Sequence, residues 1–273
     1  MPLSRAQNGA APAQGRHLVL PSLIAVLAVT AWVSISLWSA SPYARYLNHR
    51  GWLDAAWLQQ VCKGVPQGSF VVPAVLHTSA WVLMIVAMML PTTLPLLNVF
   101  ARITAGRSDA GSLFALVVLG YLAAWSAFGL IAHAADSTLH LTGGSFGWLK
   151  THAWLIGAAI LALAGGFQFS ALKYRCLERC RTPFGFVNAR WRGRRPPREA
   201  FRIGLDHGLF CVGCCWALML VMFAVGMGNL GWMLALAVLM AAEKNLPWGR
   251  RIAAPAGVAL LVWSAATVVA ETG

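Results

Sequence analysis

Apolar residues along this chain come in long unbroken runs rather than alternating with polar ones. Seven stretches carry almost no charge: 18–40, 73–99, 112–135, 153–172, 203–225, 230–242 and 252–270. About 20 apolar residues in a helix cross a hydrocarbon core about 30 Å thick. A membrane strand would alternate with a period of two, which these runs do not. The pattern predicts an all-α fold, a polytopic transmembrane helix bundle of about seven spans. Residues 18–270 read as one transmembrane helical domain, and 1–17 as a disordered tail.

The polar breaks set the connections. Residues 41–72, with Arg45, Arg50, Asp54 and Cys62, read as an external loop. A cleaved signal ending at Ala40 would put Trp38 at a position that requires a small residue, so 18–40 reads as a retained span. Pro91 and Pro95 should kink or end the second span, because proline lacks an N–H and clashes with the preceding turn. The Gly165-Gly166 pair offers a close approach to a neighbouring helix. Residues 226–229 read as a tight turn, and Glu243 and Lys244 as an interfacial pair whose charged heads snorkel outward.

Composition agrees with the pattern. The chain is 59% hydrophobic and 11% charged, against about 25% charged in a soluble domain. The net charge of +13 would point to nucleic acid in a soluble protein, but here the basic residues flank apolar runs. Ten Lys and Arg lie in 173–202 alone. With the N-terminus cytoplasmic, inner segments hold seventeen Lys and Arg and outer segments four (Arg45, Arg50, Lys63 and Lys150). That bias predicts a cytoplasmic N-terminus and a basic cytoplasmic loop at 173–202, with the lipid bilayer as first partner. Nucleic acid is not expected as a partner.

The candidate chemistry lies around that basic loop. Cys176 and Cys180 are four apart, as are His207 and Cys211, while Cys214 and Cys215 follow within the same turn. On helices, residues three and four apart share a face. A fourth helix continuing past the membrane would present Cys176 and Cys180 together. Clustered thiols in a reducing compartment bind metal or do redox chemistry more often than they form disulfides. Thiolate and imidazole ligands select copper or zinc over hard cations. Met84 and Met88, four apart on the second span, add thioethers that lean towards copper. The depth of Cys211 decides between two arrangements. A fifth span starting at Ile203 buries Cys211 by about 12 Å and makes a deep thiol site. A start near Leu209 leaves Cys211 interfacial, able to join Cys176, Cys180 and His207. A further cluster, His133, Asp136, His140 and His152, marks a possible imidazole site on the opposite side.

The string 207–219, which holds His207, Cys211, Cys214, Cys215 and Trp216, resembles the hallmark of a bacterial family of predicted metal-binding integral membrane proteins of unknown function. Ala87-Met88-Met89-Leu90-Pro91 resembles its second-span motif, residues 176–183 its two-cysteine motif, and Glu243-Lys244 its late acidic-basic pair. The four motifs occur in order over about residues 77–250. The resemblance implies metal binding and a bacterial inner membrane location.

Three functions compete. The first is a membrane protein that binds copper or zinc through the Cys/His cluster, for transport or for delivery to a partner protein. The second is a thiol-redox enzyme using Cys211 and Cys214, a C-x-x-C pair. The third is a structural subunit of a membrane complex.

Overall fold

The structure, a computed structural model, describes residues 13–41, 71–145, 152–226 and 228–272. Cys62, Trp148, Lys150, the His140 side chain and most of the 41–72 loop lie outside the described residues. These residues form α-helices and no strand: α1 (Ala13–Ser39), α2 (Val71–Met88), α3 (Leu94–Ile103), α4 (Ala110–Ser145), α5 (Trp154–Phe167), α6 (Ala171–Arg181), α7 (Pro183–Arg190), α8 (Pro196–Val225), α9 (Leu230–Asn245) and α10 (Gly249–Thr272).

Among the described residues, four helices are long and apolar enough to cross a membrane: α1, α4, α8 and α10. The pairs α2–α3 and α5–α6 bring the number to six if each bent pair is one crossing. At 16 residues, α9 is shorter than α1, α4, α8 or α10. These are the dimensions of a multi-pass membrane protein.

Pro91 acts on the second run as its chemistry requires. α2 stops at Met88, a 3-10 turn covers Pro91–Thr93, and α3 leaves at 47°. The Thr92 and Thr93 hydroxyls donate to the carbonyls of Met89 and Leu90, beside the backbone N–H groups of the same two threonines. The next bend was not expected. The fourth run does not continue straight past 167; it breaks at 168–170 and restarts as α6, bent by 64°. The Ser170 hydroxyl accepts from the Lys173 backbone N–H at 3.1 Å, a serine N-cap that starts the new helix. Much of 173–202, read as a loop from its charge, is helical: α6, α7 and the start of α8.

α8 is the axis of the bundle, packed by α4, α5, α6, α7 and α9. Its tightest contact, against α4, depends on Gly204: a Cβ there would sit 1.9 Å from the Val117 carbonyl oxygen. Gly165 does the same between α5 and α10, where a Cβ would meet the Gly257 carbonyl at 2.9 Å. Around this axis α1 and α10 turn valines and leucines outward, among them Val29, Val33, Leu37, Val258, Val262 and Val269. α8 ends at Gly226, whose φ of +92° suits glycine alone, and Asn229 caps α9 by accepting from the Trp232 N–H at 3.2 Å.

Candidate metal centre

The 64° break before α6 decides where Cys176 and Cys180 go. It folds α6 back against α8 rather than away from the bundle. Cys180 Sγ then lies 4.0 Å from Cys214 Sγ, and Cys214 Sγ lies 3.3 Å from Cys215 Sγ. Cys176 takes a different place: its sulfur fills the space over Gly213, where a Cβ would stand 2.6 Å from it. All five described cysteines are free thiols. Because α8 is continuous from Pro196, Cys211 lies well inside the helix, near its middle, and Cys211, Cys214 and Cys215 are all buried.

Cys211 has the most polar surroundings. Its Sγ is 3.0 Å from the Tyr121 hydroxyl and 2.9 Å from Lys244 Nζ. Lys244 Nζ also reaches the Thr92 hydroxyl at 3.2 Å and Met89 Sδ at 3.7 Å. This corrects the reading of Glu243 and Lys244 as a snorkelling pair, since Glu243 is 1% exposed and Lys244 6%. They do not pair with each other. Glu243 accepts from Lys173 Nζ at 2.7 Å, a salt bridge shut away from solvent on both sides. Successive residues on a helix point about 100° apart, so the two charges face different neighbours. Arg181 locks the arrangement by donating to the carbonyls of Glu243 at 2.5 Å and Pro247 at 3.1 Å, which ties the end of α6 to the end of α9.

A model for a family described as a copper chaperone (PpoB2) matches residues 78–267. The chain belongs to that family. No curated protein and no solved structure matches it. The copper chaperone match contains all five described cysteines, Met84, Met88, Lys173 and Lys244. It leaves out α1, which docks on the matched region through a hydrogen bond from Trp32 Nε1 to the Ala87 carbonyl at 3.2 Å.

The other expected ligands, His207, Met84 and Met88, are buried. His207 is 4% exposed, with its ring 6.0 Å from that of Tyr121 and 5.7 Å from that of Phe186. It lines a small cavity with Tyr121, Leu90, Thr93 and Gly204. Its Nδ1 has no hydrogen-bond partner among the described residues. Met84 and Met88 are buried on α2. Among the described residues, no three His, Cys, Asp or Glu side chains form a group that could hold a metal ion. Cys214 is the thiol shared by two contacts, one with Cys180 and one with Cys215.

Two participants escaped the sequence reading. Tyr121 sits in an apolar run that looks like any lipid-facing span. Lys173 looked like one more cation of the basic segment, and only the bend after Phe167 carries it inward.

Proposed function

We propose that the protein holds copper as Cu(I) between Cys180 and Cys214 and passes it to a partner protein, from a bacterial inner membrane. One observation carries this reading: the 4.0 Å separation of the two sulfurs. A metal–thiolate bond is about 2.3 Å, so two sulfurs on one ion stand about 3.8 Å apart at a tetrahedral angle and about 4.6 Å apart in line. The observed pair lies inside that window before any ion arrives. A soft cation satisfied by two thiolates suits the contact of Cys180 with Cys214, whereas structural zinc takes four ligands. Cys215, 3.3 Å from Cys214, supplies a third sulfur after a rotamer change.

Charge favours Cu(I) too. A Cu(I) ion with two thiolates carries one negative charge, and Lys244 supplies one buried positive charge in the same cluster. Each thiol gives up its proton as it binds, so loading is coupled to proton release.

In this reading the long helices and both bent pairs cross the bilayer, with α9 as the seventh and shortest crossing and the N-terminus cytoplasmic. The burial of Lys173 and Lys244 lowers the inner count of basic residues from seventeen to fifteen, which still outweighs the four outside.

The test is anaerobic purification in detergent followed by titration with Cu(I). The parent should bind copper stoichiometrically, and Cys180→Ser and Cys214→Ser should each lose it. Retention of full binding by both variants would overturn the assignment.

A further inference from the structure

We infer that the buried methionines form a ladder of thioethers along which Cu(I) moves between the cysteines and the far end of the bundle. This rests on the copper reading above and extends it to a path. All seven methionines whose side chains are described are buried: Met84, Met88, Met89, Met219, Met222, Met233 and Met240. Met89 sits in the break after α2; the other six lie on α2, α8 and α9, and on each helix they continue the face that carries the site.

The register of the helices stacks them in layers. α8 and α9 are antiparallel neighbours joined by the turn after Gly226, so level residues keep a constant sum of numbers. Cys211 meets Lys244, which places Cys215 level with Met240, and Met222 level with Met233. Two contacts fix α2 against α8. The Tyr121 hydroxyl links Cys211 to the Met89 carbonyl at 3.0 and 3.4 Å, and the Trp81 ring meets that of Phe223 at 6.1 Å. Between those limits Met88 falls level with Cys214 and Cys215, and Met84 with Met219. Successive layers are three or four residues apart, a step of about 5–6 Å.

The chemistry matches the geometry. A thioether is a soft neutral donor that binds Cu(I) without releasing a proton. Moving from rung to rung exchanges one sulfur for the next; copper stays Cu(I) and no electron is transferred. Neutral rungs hold the ion more weakly than the thiolates do, so the ladder conducts and the cysteines retain. It closes beneath Trp81 and Phe223. One turn further along α2, His77 stacks on His133 at 3.8 Å.

Leucine conserves the volume of methionine and removes its sulfur, so it separates a ligand from packing. The full chain would be made with selenomethionine, kept in detergent without oxygen, and titrated with Cu(I) alone past the amount the cysteines hold. X-ray absorption at the selenium edge should show a selenium–copper scattering path. That path should weaken in the M84L/M219L/M240L triple variant while cysteine-bound copper stays. Copper on the cysteines with no selenium–copper path would overturn the ladder alone. Copper on neither sulfur nor selenium would overturn the copper reading and the ladder together.

Discussion

Two lysines lie buried beside the cysteines, and they are stabilised in different ways. Lys173 faces Glu243 at 2.7 Å, a carboxylate that is also buried. Lys244 faces Cys211 Sγ at 2.9 Å, with a hydroxyl and a thioether as its other contacts. The first pair is ionic whatever happens to the cysteines. The second is balanced only when Cys211 is a thiolate, or when a thiolate-bound ion beside it carries the negative charge. One pair therefore holds α6 to α9, and the other answers to the state of the sulfurs.

The largest effect should come from breaking the structural pair. Glu243→Gln leaves the Lys173 ammonium buried without its partner, which costs about 3–5 kcal/mol. Thermal unfolding in detergent should show that loss. The Lys173→Met/Glu243→Leu double variant should recover most of it, because an apolar pair of similar volume is close to neutral in place of a buried ion pair. An equally large loss in the double variant would mean that α6 is not held mainly by this charge pair.

Lys244→Met should act in the opposite sense. Cys211 can take up a proton, so the metal-free protein keeps a neutral pair and its stability changes by about 1 kcal/mol or less. Copper affinity should fall by about ten- to a hundredfold, as when a group that supports a ligand is removed. Competition with a colorimetric Cu(I) chelator measures it. Unchanged affinity would remove Lys244 from the copper site and leave both lysines structural.

The contrast between the lysines also shows what could be read in the sequence. Runs such as 112–135 and 252–270 announced helices because nothing else can satisfy a backbone in lipid. Pro91 announced a break because its chemistry is local. His207, Cys211, Cys214 and Cys215 announced a cluster because helical spacing is local too. The break at 168–170 was not legible: its serine cap is ordinary, and no proline marks the turn. Everything that depends on that bend was therefore lost, including the inward path of Lys173, the meeting of Cys180 with Cys214, and the seat of Cys176 over Gly213. Glu243 and Lys244 were misread for a related reason. Adjacent charges at the end of a short apolar run look like a snorkelling pair until partners from α6 and α8 are in place.

A smaller change sharpens the comparison at the junction between the two sites. Gly213→Ala puts a methyl group 2.6 Å from Cys176 Sγ, so α6 must shift or Cys176 must change rotamer. Overpacking of this kind costs about 1–3 kcal/mol. Because α6 carries both Lys173 and Cys180, the substitution should lower thermal stability and copper affinity together, and Cys176→Ala in the same chain should restore both. Restoration of stability without copper binding would show that Cys176 is itself a ligand.

The smallest effect is expected at Tyr121. Its hydroxyl lies 3.0 Å from Cys211 Sγ and 3.4 Å from the Met89 carbonyl, so it joins α4 to α8 and to the break after α2. Tyr121→Phe removes one hydrogen-bonding group and keeps the ring beside His207. The net cost of such a bond is about 1 kcal/mol. With Lys244 present, Cys211 keeps its charged partner and copper affinity should barely move. With Lys244→Met, the hydroxyl and the neighbouring thiols are the polar contacts left to the sulfur, and loss of the hydroxyl should then lower copper affinity further. A double-mutant cycle on Tyr121 and Lys244, read by Cu(I) competition, measures that coupling. Strict additivity would mean that the two groups do not act on the same sulfur, and the separation between a structural lysine and a sulfur-responsive one would lose its chemical basis.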